Sequence, residues 1–334
     1  MSDEADSVES PSVSTDEVIE TIEDWYHVPA LASVVAFMFW LRAKTAGRYI
    51  SDGEVYFSGN DAWYHYRQIT YTVENFPATM PFDPWTYFSY GTSAEQFGTL
   101  FDQLIATMAL IVGLGDPSAQ TVAEVTVYAP AVFGTLVVIP TYYIGKRLGG
   151  RSAGLFAAAV LALIPGMFLQ RGVAGVADHN IAEPLFQSVA VLATMVALAA
   201  AEREKPVWEQ VAARDWAGLR QPLGWSIVAG AATGIYIWAW PPGVLLVGIL
   251  GIFYLLQLTA DYVRGNSPEH VALVAVERRQ RERRRVGEFA YLNPAGGERV
   301  GHGVPVVGDE ASSHPRRDTQ SEPCAVLDDR LTDM

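Results

Sequence analysis

The sequence predicts an all-α polytopic membrane protein. Half of its 334 residues are hydrophobic, and they gather into long runs that contain almost no charge. A helix needs roughly 20 mostly apolar residues to cross about 30 Å of hydrocarbon, and several of these runs approach that length. The formal net charge is -14. The apolar runs exclude an ordinary soluble enzyme, and the acidic balance excludes a general nucleic-acid-binding protein.

The balance of basic residues indicates a salt-rich environment. Lys44, Lys146 and Lys205 are the only lysines among 23 basic residues. Excess acid with scarce lysine suits a surface hydrated in concentrated salt, where screening weakens repulsion between like charges. We therefore expect a halophilic source. Cys324 is the only cysteine, so no intrachain disulfide can form.

Composition divides the chain into three segments. Residues 1–26 carry nine acidic residues and no basic residue. A secretory signal needs a positive first region, so we expect a disordered acidic tail and not a cleaved leader. Residues 27–275 contain the apolar runs and are predicted to form the transmembrane domain. Residues 276–334 are polar and include a basic block at 277–285.

Six apolar runs are predicted to cross the membrane. Pro241 and Pro242 separate the last two, because neither proline can donate a helical hydrogen bond. Lys146, Arg147 and Arg151 lie between the second and third runs, which predicts a cytoplasmic loop there. The predicted spans are 28–43, 122–144, 153–169, 181–201, 225–240 and 244–258.

The run 97–114 is harder to place. Full crossing would put the long loop before it on the opposite side of the membrane from residues 170–180. Asp102 and Gln103 lie near one end of the run, which suits a re-entrant or external-loop helix instead. Arg42, Lys44 and Arg48, at and after the end of the first span, favour an inward-facing loop. Charge alone leaves both arrangements open.

The loop 47–96 is long and rich in aromatic residues. Loops of this length are usually functional or disordered, and the aromatic content predicts folding onto the headgroup boundary or onto the protein. Residues 58–61 lead into a predicted short helix over 62–74. Asp61 is therefore either the N-cap of that helix, which the spacing favours, or a functional carboxylate.

A second polar stretch, 170–180, precedes the span that begins at Ile181. Asn180 and Glu183 have the spacing of a capping box, which leaves Asp178 and His179 without a role. An acid, an imidazole and an amide within three positions at a membrane surface also suit a hard cation with oxygen ligands. Both interpretations remain open from the residues alone.

Five short motifs occur in a fixed order along the chain. They are Gly59-Asn60-Asp61, Trp63-Tyr64-His65-Tyr66-Arg67, Gln170-Arg171-Gly172, Asp178-His179-Asn180-Ile181-Ala182-Glu183 and Tyr236-Ile237-Trp238-Ala239-Trp240-Pro241-Pro242. This order resembles the membrane half of an archaeal oligosaccharyltransferase catalytic subunit, in the dolichyl-phosphooligosaccharide–protein glycotransferase family. The resemblance implies a GT-C-type transmembrane domain with a large first external loop. It also implies that the run 97–114 does not cross the membrane and is a re-entrant or external-loop helix. It also implies a multi-pass protein of the cell membrane whose active site faces the exterior.

The resemblance implies transfer of a glycan from a dolichyl phosphate or diphosphate donor to the asparagine of Asn-x-Ser/Thr in an acceptor protein. Asp61 would be the catalytic carboxylate and would bind a divalent metal, Mn²⁺ or Mg²⁺. Asp178 and Asn180 would complete the metal site, and His179 is an additional candidate ligand because an amide is a weaker ligand than a carboxylate. Arg171 is the candidate for the donor phosphate; alternatively it is an interfacial arginine that snorkels.

The family continues well beyond this length, into a C-terminal domain with a Trp-Trp-Asp-Tyr-Gly motif that recognises the acceptor. No Trp-Trp pair occurs in this sequence. We therefore expect a membrane portion that lacks the acceptor domain and is inactive alone. The abrupt change in composition at 276 predicts out-of-frame translation in the tail, with a lipid-headgroup anchor as the alternative.

Two other classes of function remain open. One is a polytopic transporter or non-catalytic membrane protein, in which the acidic residues of the loops would only cap helices. The other is a different lipid-linked-sugar glycosyltransferase, which would share the acid of the first loop without needing an acceptor-reading domain. Acidic residues or breaks within spans would favour the transporter.

Overall fold

A computed structural model describes residues 25–203, 207–265 and 270–275, so the predictions for residues 1–24 and 276–334 lie outside the described residues. The described part is mainly helical, with two short antiparallel strand pairs. The helices are α1 (His27–Ala43), α2 (Gly59–Glu74), α3 (Leu100–Val112), α4 (Ala119–Leu136), α5 (Val138–Leu163), α6 (Met167–Arg171), α7 (Ala182–Arg203), α8 (Val207–Ala212), α9 (Trp216–Ala239) and α10 (Val244–Arg264). The strand pairs are β1 (Ile50–Ser51) with β2 (Glu54–Val55), and β3 (Phe82–Asp83) with β4 (Thr92–Ser93).

Four helical stretches of the described residues are long and apolar enough to cross a membrane. The helix α3 has 13 residues. That length corresponds to about 20 Å, which is too short to cross about 30 Å of hydrocarbon. The predicted span 225–240 falls in α9, which is not among the four. The four are His27–Arg48, Ala119–Leu163, His179–Glu202 and Pro241–Arg264.

The helix α5 consists of two arms joined by a reversal of the chain. The reversal is at Gly149 and Gly150, where the backbone leaves the helical region and Gly150 has φ +81°. The arms pack closely, since a Cβ on Gly145 would lie 2.9 Å from the Ala153 carbonyl oxygen and 3.0 Å from the Gly154 Cα. The reversal lies within the basic loop that the sequence predicts between two spans.

The predicted span 153–169 is not one continuous helix. It is interrupted at 164–166, between α5 and α6. Pro165 offers no N–H and disfavours a helical conformation at Ile164, which is extended with ψ 119°. Gly166 has φ +95°. The sequence analysis missed the break because Pro165 lies within an apolar run.

The long loop between α1 and α3 folds partly onto the rest of the protein. Its helix α2 packs against α3 and α4. Phe57 and Tyr66 belong to a buried cluster that includes Val127 of α4 and Ala177 of the loop before α7. The cluster brings the loops before α2 and before α7 together. The rings left exposed in the second half of the first loop include those of Trp85, Tyr87, Phe88 and Tyr90.

A partly buried ion pair links α2 to β3. Arg67 Nη2 donates to Asp83 Oδ2 at 2.6 Å, and the Thr86 hydroxyl donates to the same oxygen at 2.7 Å. The backbone N–H of Trp85 donates to Asp83 Oδ1 at 3.0 Å. Burial raises the pKa of Asp83, but these hydrogen bonds and the charge of Arg67 outweigh burial and lower it. The carboxylate therefore stays ionised at neutral pH and stabilises the loop.

The substitution Asp83→Asn should loosen this loop. A neutral amide cannot replace the charged acceptor, and losing a buried charged partner costs roughly 1–3 kcal/mol. In hydrogen exchange followed by mass spectrometry, peptides covering residues 82–93 should exchange faster in the variant than in the wild type. Because the pKa of Asp83 is lower in the folded state, the protection should be present above the unfolded pKa, about 4, and be lost as the pH falls through the folded value. The exposed acid Asp116, changed to Asn, is the control; equal exchange in all three proteins would contradict this prediction.

Candidate metal and donor site

Asp61 lies in the first turn of α2 and not at its N-cap. Ser58 occupies the N-cap position, so the capping role that the spacing favours for Asp61 is wrong. A negative side chain in the first turn still interacts favourably with the helix dipole. Asp61 is exposed and lies four residues before the buried His65, so both side chains lie on the same side of α2. The helix therefore presents this carboxylate on the side that carries His65, while the group of potential metal ligands within 4.8 Å of one another is His65, Asp178 and His179.

Asp178 caps the short 3₁₀ helix His179–Ile181 before α7. Its Oδ1 accepts the backbone N–H of Asn180 at 3.0 Å. The Asn180 side-chain Nδ2 donates to both oxygens of Asp178, at 2.7 and 2.8 Å. The interpretation of Asn180 and Glu183 as a capping box is therefore wrong, since Asp178 occupies the cap and α7 begins at Ala182.

Asp178 is buried and yet held in its ionised form. Burial raises the pKa of this carboxyl, but the backbone and side-chain hydrogen bonds from Asn180 outweigh burial, and the pKa is lowered. Arg171 Nη1 lies 4.0 Å from Asp178 Oδ2, and the Arg171 side chain is 39% exposed. Asp178, a negatively charged candidate ligand for a metal ion, thus lies next to Arg171, a partly exposed positive group suited to binding an anion.

His65, Asp178 and His179 form the one group of potential metal ligands among the residues with described placement. One ligand atom from each residue lies within 4.8 Å of the others. A carboxylate with imidazoles can hold a divalent ion of the first transition row. Both ring nitrogens of His65, however, already have hydrogen-bond partners.

The sequence analysis gave no role to His65 or Asp102, which the structure brings together. His65 Nδ1 lies 2.7 Å from Asp102 Oδ1 on α3, and His65 Nε2 lies 3.0 Å from His179 Nδ1. Burial lowers the pKa of His65, but the charge and hydrogen bond of Asp102 outweigh burial and raise it. The available signal was a charged residue inside the apolar run 97–114. A further signal was a histidine one helical turn after Asp61.

The structure thus places Arg171, Asp178, His179 and Asn180 together and puts Asp61 on the same side of α2 as His65. Residues 30–276 match the family model described as "Oligosaccharyl transferase STT3, N-terminal". The chain belongs to the STT3 family. The resemblance predicted from its motifs is therefore confirmed.

Two curated STT3 relatives give the scale of the similarity. The chain is 60% identical over 274 residues to the dolichyl-monophosphooligosaccharide–protein glycotransferase AglB of Haloferax volcanii, covering 82% of this chain and 25% of that protein. It is 28% identical to dolichyl-phosphooligosaccharide-protein glycotransferase 3 of Archaeoglobus fulgidus, over 77% of this chain and 29% of that protein. The STT3 chain therefore spans about a quarter of the length of these relatives.

A solved structure shows the same STT3 fold. The apo form of the Archaeoglobus fulgidus oligosaccharyltransferase superposes with a TM-score of 0.66 at 27% identity, covering 77% of this chain and 28% of that chain. The predicted fold class, an all-α polytopic GT-C-type membrane domain, is therefore confirmed. The assignment of individual residues to metal and donor binding remains a prediction.

Proposed function

We propose that this chain forms the metal- and donor-binding part of an oligosaccharyltransferase. Its reaction would transfer a glycan from a dolichyl-linked oligosaccharide to the asparagine of Asn-x-Ser/Thr in an acceptor protein. The observation that carries the proposal is the buried carboxyl group of Asp178, which lies between His179, Asn180 and Arg171 in a chain of the STT3 family. Because the name of the Haloferax volcanii relative specifies a monophosphate, we propose a donor with one phosphate.

The reaction requires activation of the attacking nitrogen and stabilisation of the leaving phosphate. The amide nitrogen of the acceptor asparagine would attack the anomeric carbon of the sugar and pass one N–H proton to the Asp61 carboxylate. The bond from that carbon to the phosphate oxygen would break, and its electron pair would leave with dolichyl phosphate. The nitrogen is a poor nucleophile because its lone pair is delocalised over the amide. Asp61 would accept hydrogen bonds from the acceptor N–H groups and so favour attack, while Arg171 would bind the departing phosphate.

Asp178 and His179, with Asp61 from α2, are the residues proposed to hold the divalent ion. A bound cation would stabilise the negative charge that develops on the leaving phosphate. Imidazole in the ligand set favours Mn²⁺ over Mg²⁺, which prefers oxygen ligands and water. Asn180 was predicted as a ligand, but its amide donates to Asp178. Our proposal therefore assigns Asn180 to hold the carboxylate in place.

We propose that the site faces the exterior of the cell. The loops before α2 and before α7 pack together, while the basic turn after Lys146 joins the arms of α5. Basic loops favour the cytoplasmic side, which leaves the acidic loops outside. Membership of the STT3 family favours this function over a transporter. It also favours oligosaccharyl transfer over the other lipid-linked-sugar reactions.

Donor binding tests this function directly. The purified chain in lipid nanodiscs should bind dolichyl phosphate more tightly with Mn²⁺ than with EDTA. Arg171→Gln should weaken binding by roughly 10-fold or more, in the range expected for one charge-assisted contact. Arg147→Gln, in the turn that joins the arms of α5, is the matched control and should bind as the wild type does. Binding that responds to neither Mn²⁺ nor Arg171→Gln would refute the proposed donor site.

A further inference from the structure

A chain of hydrogen bonds runs from α3 through α2 to the proposed metal site. Asp102 is 3% exposed and His65 is 1% exposed, so both polar groups are removed from solvent. Asp102 contacts His65, and His65 contacts His179. The Phe101 ring packs edge-on against the His65 imidazole with centroids 5.1 Å apart. The proposed reaction uses neither Asp102 nor His65, so their burial calls for a separate explanation.

The donors and acceptors determine where the protons lie when His65 is neutral. With Asp102 ionised, its carboxylate only accepts, so His65 Nδ1 carries the proton that faces Asp102 Oδ1 at 2.7 Å. The backbone N–H of His179 donates to His65 Nε2 at 3.4 Å, so Nε2 holds a lone pair. The ring Nδ1 of His179 lies 3.0 Å from the same Nε2 and must donate to it. In neutral His179 this leaves the lone pair on Nε2.

We propose that Asp102 and His65 are positioning residues that hold His179 in its Nδ1-protonated tautomer and keep Nε2 available as the metal-binding nitrogen. This inference rests on the proposed function and extends it by naming the ligand atom and the residues that select it. Histidines that bind metals commonly donate the other ring N–H to an acceptor, which sets the tautomer and the ring orientation. Here the nearest acceptor is a second imidazole, 3.0 Å away and itself held by a buried carboxylate, while Asp178 Oδ1 lies 3.4 Å from the same Nδ1.

The same contacts argue against His65 as a ligand, although it lies within reach of the other two residues. Ligation through Nε2 would break the hydrogen bond to His179. Ligation through Nδ1 would break the hydrogen bond to Asp102 and leave a buried carboxylate without that partner, which is strongly unfavourable. His65 can support the site without either loss. The arrangement also accounts for an acidic residue in the apolar helix α3, since Asp102 is paired there.

The tautomer can be measured without any metal. The full chain, labelled with ¹⁵N-histidine and reconstituted in lipid, is compared by solid-state NMR in mildly alkaline buffer with His179→Ala, which assigns the His179 signals by difference. We expect His179 to be protonated on Nδ1 in the wild type and to lose that preference in His65→Leu. His65→Gln, which keeps an acceptor near the position of Nε2, should retain it. A wild-type His179 protonated on Nε2 would overturn the inference, even if the leucine variant does not fold.

Mn²⁺ titration of the same proteins provides the second readout. Removing a supporting group beyond the ligands typically costs roughly 10–100-fold in metal affinity, so His65→Leu should lose that much and His65→Gln should recover most of it. His270→Leu is the matched control, because His270 lies 3.7 Å from a different buried carboxylate, Asp261. Unchanged affinity in His65→Leu, or equal losses in the leucine and glutamine variants, would overturn the inference. If the wild type binds no Mn²⁺, the proposed metal site fails, and the NMR spectrum alone decides the tautomer.

Discussion

Asp178→Asn should reduce Mn²⁺ affinity by more than about 100-fold, beyond the range typical of groups outside the ligand sphere. The change removes the negative charge that we propose attracts the ion, but it keeps a side-chain oxygen for the N–H of Asn180, so the 3₁₀ helix His179–Ile181 should persist. Asp178→Ala removes both functions and should also lower the free energy of unfolding by the roughly 1 kcal/mol that a helix cap contributes. The thermal unfolding midpoint should fall with it. Electron paramagnetic resonance measures the concentration of free Mn²⁺ during the titration, and circular dichroism follows thermal unfolding.

Asp215 offers a matched control for Asp178. Its carboxylate also caps a helix, since Asp215 Oδ1 accepts the backbone N–H of Gly218 at 3.0 Å at the start of α9. The opposite, C-terminal end of α9 is the one that contacts the start of α3, where Trp238 Nε1 donates to Thr99 Oγ1. Asp215 caps the N-terminal end of α9, so Asp215→Asn should leave Mn²⁺ affinity unchanged. An Asp178→Asn variant that binds Mn²⁺ as tightly as the wild type would exclude this carboxylate as a ligand.

The fold class was predictable because span length and hydropathy are local properties of the sequence. The proline pair at 241–242 breaks the helix where predicted, and α10 follows it. The interruption at 164–166 was missed because its apolar composition hides a conformational break. Hydropathy reports the environment of a segment, whereas continuity of the helix depends on one missing N–H and on the dihedral angles of Pro165 and its neighbours.

The candidate site was predictable only in part. Asp178 and Asn180 are only two positions apart in sequence, and the structure shows them hydrogen-bonded. His65 and Asp102 are separated by 37 positions, and His65 lies 114 positions before His179. No spacing rule connects residues on different elements, so their hydrogen-bonded chain appears only when α2, α3 and the loop before α7 pack together. The sequence signals of that chain were a charged residue in an apolar run, Asp102, and a histidine one helical turn after Asp61.

Arg42 shows the same limit for charge patterns. From the sequence, Arg42, Lys44 and Arg48 favour an inward-facing loop after the first span. In the structure Arg42 is fully buried and its guanidinium lies over the Phe168 ring, 4.9 Å from the centroid. The backbone carbonyl of Arg42 also accepts the N–H of Ala174 at 3.0 Å. A buried arginine that packs against the loop of the site carries little information about membrane orientation.

Gly172→Ala should destabilise the protein and weaken Mn²⁺ binding together. An added Cβ would lie 2.9 Å from Arg42 Nε, 3.0 Å from the Phe168 carbonyl oxygen and 3.1 Å from Ile181 Cδ1. Arg42 is fully buried and has little room to move, so the segment that leads to Asp178 must shift instead. Overpacking of this kind costs roughly 1–3 kcal/mol. The expected result is a lower thermal unfolding midpoint together with a weaker Mn²⁺ titration.

Gly248→Ala in α10 separates this steric effect from the general effect of adding a methyl group to a glycine. A Cβ at Gly248 meets no atom within 4 Å, and the residue lies inside a helix. Alanine there should be neutral or stabilising, by up to about 1 kcal/mol, because it restricts the unfolded chain and favours the helix. Equal unfolding midpoints and equal Mn²⁺ affinities for Gly172→Ala and the wild type would mean that the Arg42 contact does not hold the loop. A loss in Gly172→Ala that Arg42→Met partly reverses would show that the guanidinium transmits the strain to Asp178, since the methionine side chain is unbranched and adapts to irregular space.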